Sequence, residues 1–241
     1  MRRSTSMPAA RHFRPGTLRA AEAGSALTCL VLVGGPEWVL ADVESGALLR
    51  PLASEAARGA PAGMGRSLEL VSVVLDPPGE PLDASRPEAV RLADGGVTKL
   101  PLPRRRAVRR LLSVLVTASP SGPLLGSLGP SIAYQDLDGD RPSVVVVAPD
   151  QRPRFGNGRH GPWCQFSLAG RKHALPLHGR PEQALDLLDD LSGTAEGGPR
   201  RHRRRGPGAA TPRLLVVGFG PPRRGQVPKV VLGAVSERPR R

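Results

Sequence analysis

Five stretches of the chain share one pattern, an apolar segment, a turn rich in Gly or Asp, and a second apolar segment, and this repetition limits the fold more than any other feature. They are CLVLVGGPEWVLADVESGALLRPL (29–52), AVRLADGGVTKLPL (89–102), SIAYQDLDGDRPSVVVVAP (131–149), CQFSLAGRKHALPL (164–177) and RLLVVGFGPPRRGQVPKVVLGAV (213–235). Glycine supplies the positive φ a reversing chain needs, and aspartate tolerates it or caps its own backbone. Antiparallel hairpins are the economical reading. LELVSVVLDPP at 68–78 adds a strand stopped by prolines. Three segments end alike, in LLRPL, KLPL and HALPL, where a proline without an N–H suits a strand terminus or edge.

The expected fold is therefore mainly β: sandwich-like or barrel-like antiparallel sheets built from hairpins, with one or two short helices and flexible basic tails. Four phenylalanines, two tryptophans and one tyrosine leave the core to aliphatic side chains. In PRRRAVRRLLSVLV, Val108, Leu111, Leu112 and Leu115 follow helical spacing, and Pro103 suits a first turn. The same valines and leucines are also compatible with a strand at 111–116. In PEQALDLLDDL, Leu185, Leu188 and Leu191 line one face while Asp186, Asp189 and Asp190 face water. Expected organisation is a basic arm at 1–25, a β-rich body at 26–191 with helices near 104–116 and 181–191, an Arg-rich insert at 192–212, a hairpin at 213–235 completing the sheet, and a basic tail at 236–241.

The formal charge of +14 is unevenly spread. Residues 103–110 and 199–205 carry five arginines each, whereas 27–102 and 111–198 together carry a net −6. The body reads as mildly acidic, with basicity in its ends and junctions. Arginine so far outnumbers lysine, present only at 99, 172 and 229, that part of the excess reflects a GC-rich coding sequence. Arg104, Arg105, Arg106, Arg109 and Arg110, with Arg200, Arg201, Arg203, Arg204 and Arg205, are the candidate anion-binding residues, because guanidinium binds carboxylate and phosphate bidentately. No aromatic residue is interleaved with either cluster for base stacking.

Other chemistry is weaker. In AYQDLDGDRPSVVVV, an EF-hand loop starting at Asp136 fails, since Gly139 comes two positions early and Val147 stands where the glutamate belongs. DLDGDRPSVVVV resembles the calcium loop of integrin-like propeller repeats, without its second glycine and with Ser143 in place of an acid. A two-residue turn closed by Asp138 and Gly139 is the favoured alternative to calcium binding. His160, Cys164, His173 and His178 are suitable zinc ligands, but their spacing fits no finger or ribbon, and His173 shares strand parity with Leu175 and Leu177. Cys164 with His160 or His173 could form a nucleophile and base dyad, and no Gly-x-Ser-x-Gly elbow occurs. LLVVGFGPPRRG places Gly218 and Gly220 as a dinucleotide loop would, but Arg223 replaces the third glycine and a hairpin loop accounts for it better.

ALTCLVLV at 26–33 reads as a buried strand rather than a secretory core, because Glu22 precedes it and GGPEW follows. Two cysteines exclude a disulfide framework. The expected role is a non-catalytic cytoplasmic binding or scaffold protein contacting an acidic protein through its arginines, with no cofactor and no membrane span. A non-specific nucleic-acid-associated protein, and an enzyme centred on Cys164 and nearby histidines, are the alternatives.

Overall fold

The computed structural model describes residues 26–34, 37–52, 67–76, 85–101, 103–117, 122–137, 139, 141–178 and 214–235. The expected arm at 1–25, helix at 181–191, insert at 192–212 and tail at 236–241 lie outside the described residues, as do Arg200, Arg201, Arg203, Arg204 and Arg205.

The protein is mainly β, and its described residues form three sheets curled into half-barrels with one α-helix. The first sheet holds β1 (Ala26–Val33), β2 (Val39–Asp42), β3 (Leu48–Pro51), β4 (Leu70–Leu75), β5 (Ala89–Val90) and β6 (Leu92–Lys99), in the order β5-β3-β2-β1-β4-β6. Its pairs are antiparallel except β3 with β5, which is parallel. After α1 (Arg105–Thr117), the second sheet forms from β7 (Ser131–Ala133), β8 (Val144–Val147), β12 (Leu214–Phe219) and β13 (Gln226–Val235), in the order β7-β13-β12-β8. The third contains β9 (Arg154–Gly158), β10 (Gly161–Leu168) and β11 (Arg171–Pro176), with β10 central. It joins the second through a parallel bridge between Leu177 and Val231.

Strand parity divides the core into three layers. On β1, Cys29 and Val31 pack inside the first half-barrel with Trp38, Leu40, Val71 and Val97, whereas Leu30 and Leu32 pack between the first and second sheets. β8 does the same: Val144 and Val146 face the first sheet and α1, and Val145 and Val147 face the third. A sheet covered on both faces needs continuous apolar strands rather than alternating ones, so all four valines are buried. α1 seals the middle layer with Leu111, Leu112 and Leu115.

Two expected hairpins are different structures. In AVRLADGGVTKLPL the chain does not reverse at Asp94–Gly96: β6 runs through as one strand. Its register against β4 slips from Val73↔Val97 to Leu75↔Leu92, so the glycines form a bulge, with Gly95 at φ +67°. In SIAYQDLDGDRPSVVVVAP, β7 pairs with β13 and β8 with β12, at opposite edges of one sheet. Gly139 therefore lies in a connection, not in a two-residue hairpin turn, and Asp138 and Asp140 lie outside the described residues. By contrast, β10 and β11 close through Ala169 and Gly170, both at positive φ, and β12 and β13 pair across 220–225.

Candidate functional site

α1 begins after Pro103, and its leucines fix which face is outward. With Leu111, Leu112 and Leu115 buried against Val144 and Val146, the residues Arg104, Arg105, Arg106, Arg109 and Arg110 are all exposed. The structure thus brings the first arginine cluster onto one short surface. Its placement opposes helix stability: the first turn carries no acid and the last turn no base, so every helical charge is a cation in the N-terminal half. The helix dipole favours the reverse arrangement. Arg105 and Arg109, and Arg106 and Arg110, are also like-charged pairs at the (i, i+4) spacing that brings side chains together.

A second polar assembly sits where the half-barrels meet, and sequence reasoning missed it. Glu37 receives Arg50 Nη2 and His178 Nε2, with Arg86 Nη1 at 3.3 Å. Arg50, only 2% exposed, also donates to the Phe219 carbonyl at 3.1 Å and to Ser143 Oγ at 3.2 Å. Ser143 in turn donates from its hydroxyl and, at 2.8 Å, from its N–H to the Glu88 carboxylate. The two carboxyls diverge. Burial would raise Glu37, but the hydrogen bond from His178 and the charges of Arg50, His178 and Arg86 hold it at about 2. Burial dominates at Glu88 and pushes it up despite the bonds from Ser143. Arg50 is itself lowered by burial, which the Glu37 charge opposes. The partners come from the β1–β2 connection, β3, the segment ahead of β5, the segment ahead of β8, the end of β12 and the segment after β11, so the cluster ties the first sheet to the second.

The histidines and cysteines of the sequence reading scatter. His160 is exposed in the turn between β9 and β10, and His178 is committed to Glu37. Half-buried His173 stacks on Phe166, with ring centroids 5.2 Å apart. Its pKa is lowered by burial and by the charges of Lys229 and Arg171. Cys164 is fully buried and its thiol is pushed up to about 12, so it holds no thiolate at neutral pH. Cys29 is likewise buried and free, raised by burial and by Asp42. Among the described residues no three His, Cys, Asp or Glu side chains converge as metal ligands. Asp136 is exposed in a 3-10 turn at Tyr134–Asp136.

Two further features escaped the sequence reading. Lys229, 1% exposed, points its amine at the Ser127 carbonyl, and burial lowers its pKa to about 8. Its N–H donates to Pro130 O at 2.8 Å, so one residue fastens both ends of the 127–130 loop. Between 151 and 178 the chain carries Arg152, Arg154, Arg159, Arg171 and Lys172, all exposed, and no carboxylate. That signal is present in the sequence, where the acidic residues near 181–191 offset it in the net charge of the body.

No family model, curated protein or solved structure matches the chain.

Proposed function

We propose that the chain is a non-catalytic binding protein that docks an acidic protein segment on the arginine face of α1. One observation carries this reading: a folded helix, locked by its leucines, presents four exposed arginines, with Arg104 exposed just ahead of it, in an arrangement that costs the helix stability. An anionic partner relieves both the repulsion and the conflict with the dipole. Guanidinium groups donate bidentately to carboxylates, and their planar fork lowers the entropy lost per hydrogen bond formed. α1 carries no aromatic side chain on which a base would stack, which favours carboxylate over nucleic acid at this surface.

The test compares wild type with the quadruple variant Arg105→Gln, Arg106→Gln, Arg109→Gln and Arg110→Gln, measuring anisotropy of labelled poly-L-glutamate at low and high salt. Wild type binds, salt weakens the complex, and the variant loses about tenfold or more with an unchanged circular dichroism spectrum. Undiminished binding by the variant removes α1 from the function. A preference for duplex DNA over polyglutamate at equal salt transfers the helix to the nucleic-acid alternative.

A further inference from the structure

The third sheet offers a surface of a different kind, separate from α1. Burial alternates along β10, with Pro162, Cys164 and Phe166 buried and Trp163, Gln165 and Ser167 on the opposite, solvent side. Register extends this outer face to Arg154 and Gly156 of β9 and to Lys172, Ala174 and Pro176 of β11. Arg154, Lys172, Ala174 and Pro176 are exposed.

Trp163 lies flat on that face. A Cβ added at Gly156 would fall 2.5 Å from Trp163 Cζ2 and 2.8 Å from Cε2, and one at Gly158 would fall 3.3 Å from Nε1. The indole therefore rests on the bare backbone of the neighbouring strand, one ring face down, with exposed residues around it. Covering edge-strand glycines with an aromatic ring is a known stabilising device and accounts for the pose. It does not account for the charge. The sheet and its turns carry four exposed cations, with Arg152 a fifth just ahead of β9, while the nearest carboxylate in sequence, Asp150, accepts from Ala169 N at 3.1 Å and Gly170 N at 2.8 Å.

We propose that this face is a binding strip for single-stranded nucleic acid, in which a base stacks on Trp163 and the neighbouring phosphates are held by Arg154 and Lys172. Arg154 stands opposite Gln165, making it a diagonal neighbour of Trp163, at a separation of about 7–8 Å. Lys172 stands opposite Ser167, four residues along β10 from Trp163, or about 14 Å. One flat ring and cations spaced along a single strand direction match a ligand with planar bases on a charged backbone. An acidic polypeptide uses the cations but has no need of the ring.

The wild-type chain is titrated with oligo-dT and oligo-U of about a dozen nucleotides, following tryptophan emission and, with labelled oligonucleotide, anisotropy. Trp38 is 3% exposed, so quenching on stacking reports Trp163. Expected results are saturable quenching, near-wild-type affinity for Trp163→Phe, and about tenfold or greater loss for Trp163→Leu. Arg154→Gln with Lys172→Gln lowers the slope of log affinity against log salt by about 1.4. The α1 quadruple variant keeps the quenching, which separates this strip from the proposed function. Absence of quenching at saturation overturns the strip in wild type, whether or not Trp163→Leu folds. So does wild-type affinity in a Trp163→Leu protein that melts normally, or equal quenching by poly-L-glutamate.

Discussion

Arg50 keeps its charge in the protein interior because Glu37 is set against it, while Ser143 Oγ and the Phe219 carbonyl take two more of its donors. Its Nε has no hydrogen-bond partner among the described residues, so the described cluster leaves one donor unsatisfied. Removing one member of a buried pair leaves the other charge uncompensated, which costs more than the pair gains by forming. Glu37→Gln should therefore destabilise the protein by about 3 kcal/mol at neutral pH, measured by urea unfolding. The pH dependence has a definite sign. The folded state holds Glu37 at about 2 against an ordinary 4.5, so its stabilisation is present above pH 4.5 and is lost as pH falls toward 2. The gap between wild type and Glu37→Gln should close across that acid range; a gap constant from neutrality to acid would mean that Glu37 is not the ionised partner of Arg50.

At the scale of single elements, the sequence exposed what is local and concealed what is shared. The buried runs of β1, β8 and β12 were legible, because strands covered on both faces must be apolar throughout. The β10–β11 hairpin was legible through Ala169 and Gly170, and the helical spacing of Val108, Leu111, Leu112 and Leu115 located α1. The Asp94–Gly96 bulge was not, because positive φ serves a bulge as readily as a turn and only pairing with β4 decides between them. The Glu37 cluster was equally hidden, since Arg50 and Phe219 are 169 residues apart. α1 itself makes a prediction at this scale. Arg105→Glu puts a negative charge in the first helical turn and four residues before Arg109, satisfying both the dipole and the side-chain pairing. It should raise stability by about 0.5–1 kcal/mol, seen as a higher melting temperature, while weakening polyglutamate binding. A helix stabilised by the change that weakens its binding is shaped for a partner; a loss of stability would mean that its arginines support the fold.

Across the whole molecule, the three sheets stack through shared cores, and the middle layer depends on how closely β13 of the second sheet approaches β1 of the first. Gly233 sets that distance. A Cβ there would lie 2.8 Å from Val33 Cγ2 and 3.2 Å from Val33 Cγ1, closer than real side chains pack. Val33 sits at the end of β1, beside a register shift against β2 between Val31 and Val33, so it cannot withdraw without disturbing that pairing. Leu32 on β1 and Leu232 on β13 fill the same layer, leaving little room for either strand to shift. Gly233→Ala should therefore act as a wedge between the half-barrels, costing about 1–3 kcal/mol as overpacking usually does. Because both sheets line the wedged layer, the loss should appear in one cooperative unfolding transition, with near-ultraviolet circular dichroism from Trp38, read in a Trp163→Phe background, and far-ultraviolet ellipticity falling together. Two separated transitions, with the Trp38 signal surviving the first, would mean that the half-barrels hold themselves up independently and that the layer between them is only a contact.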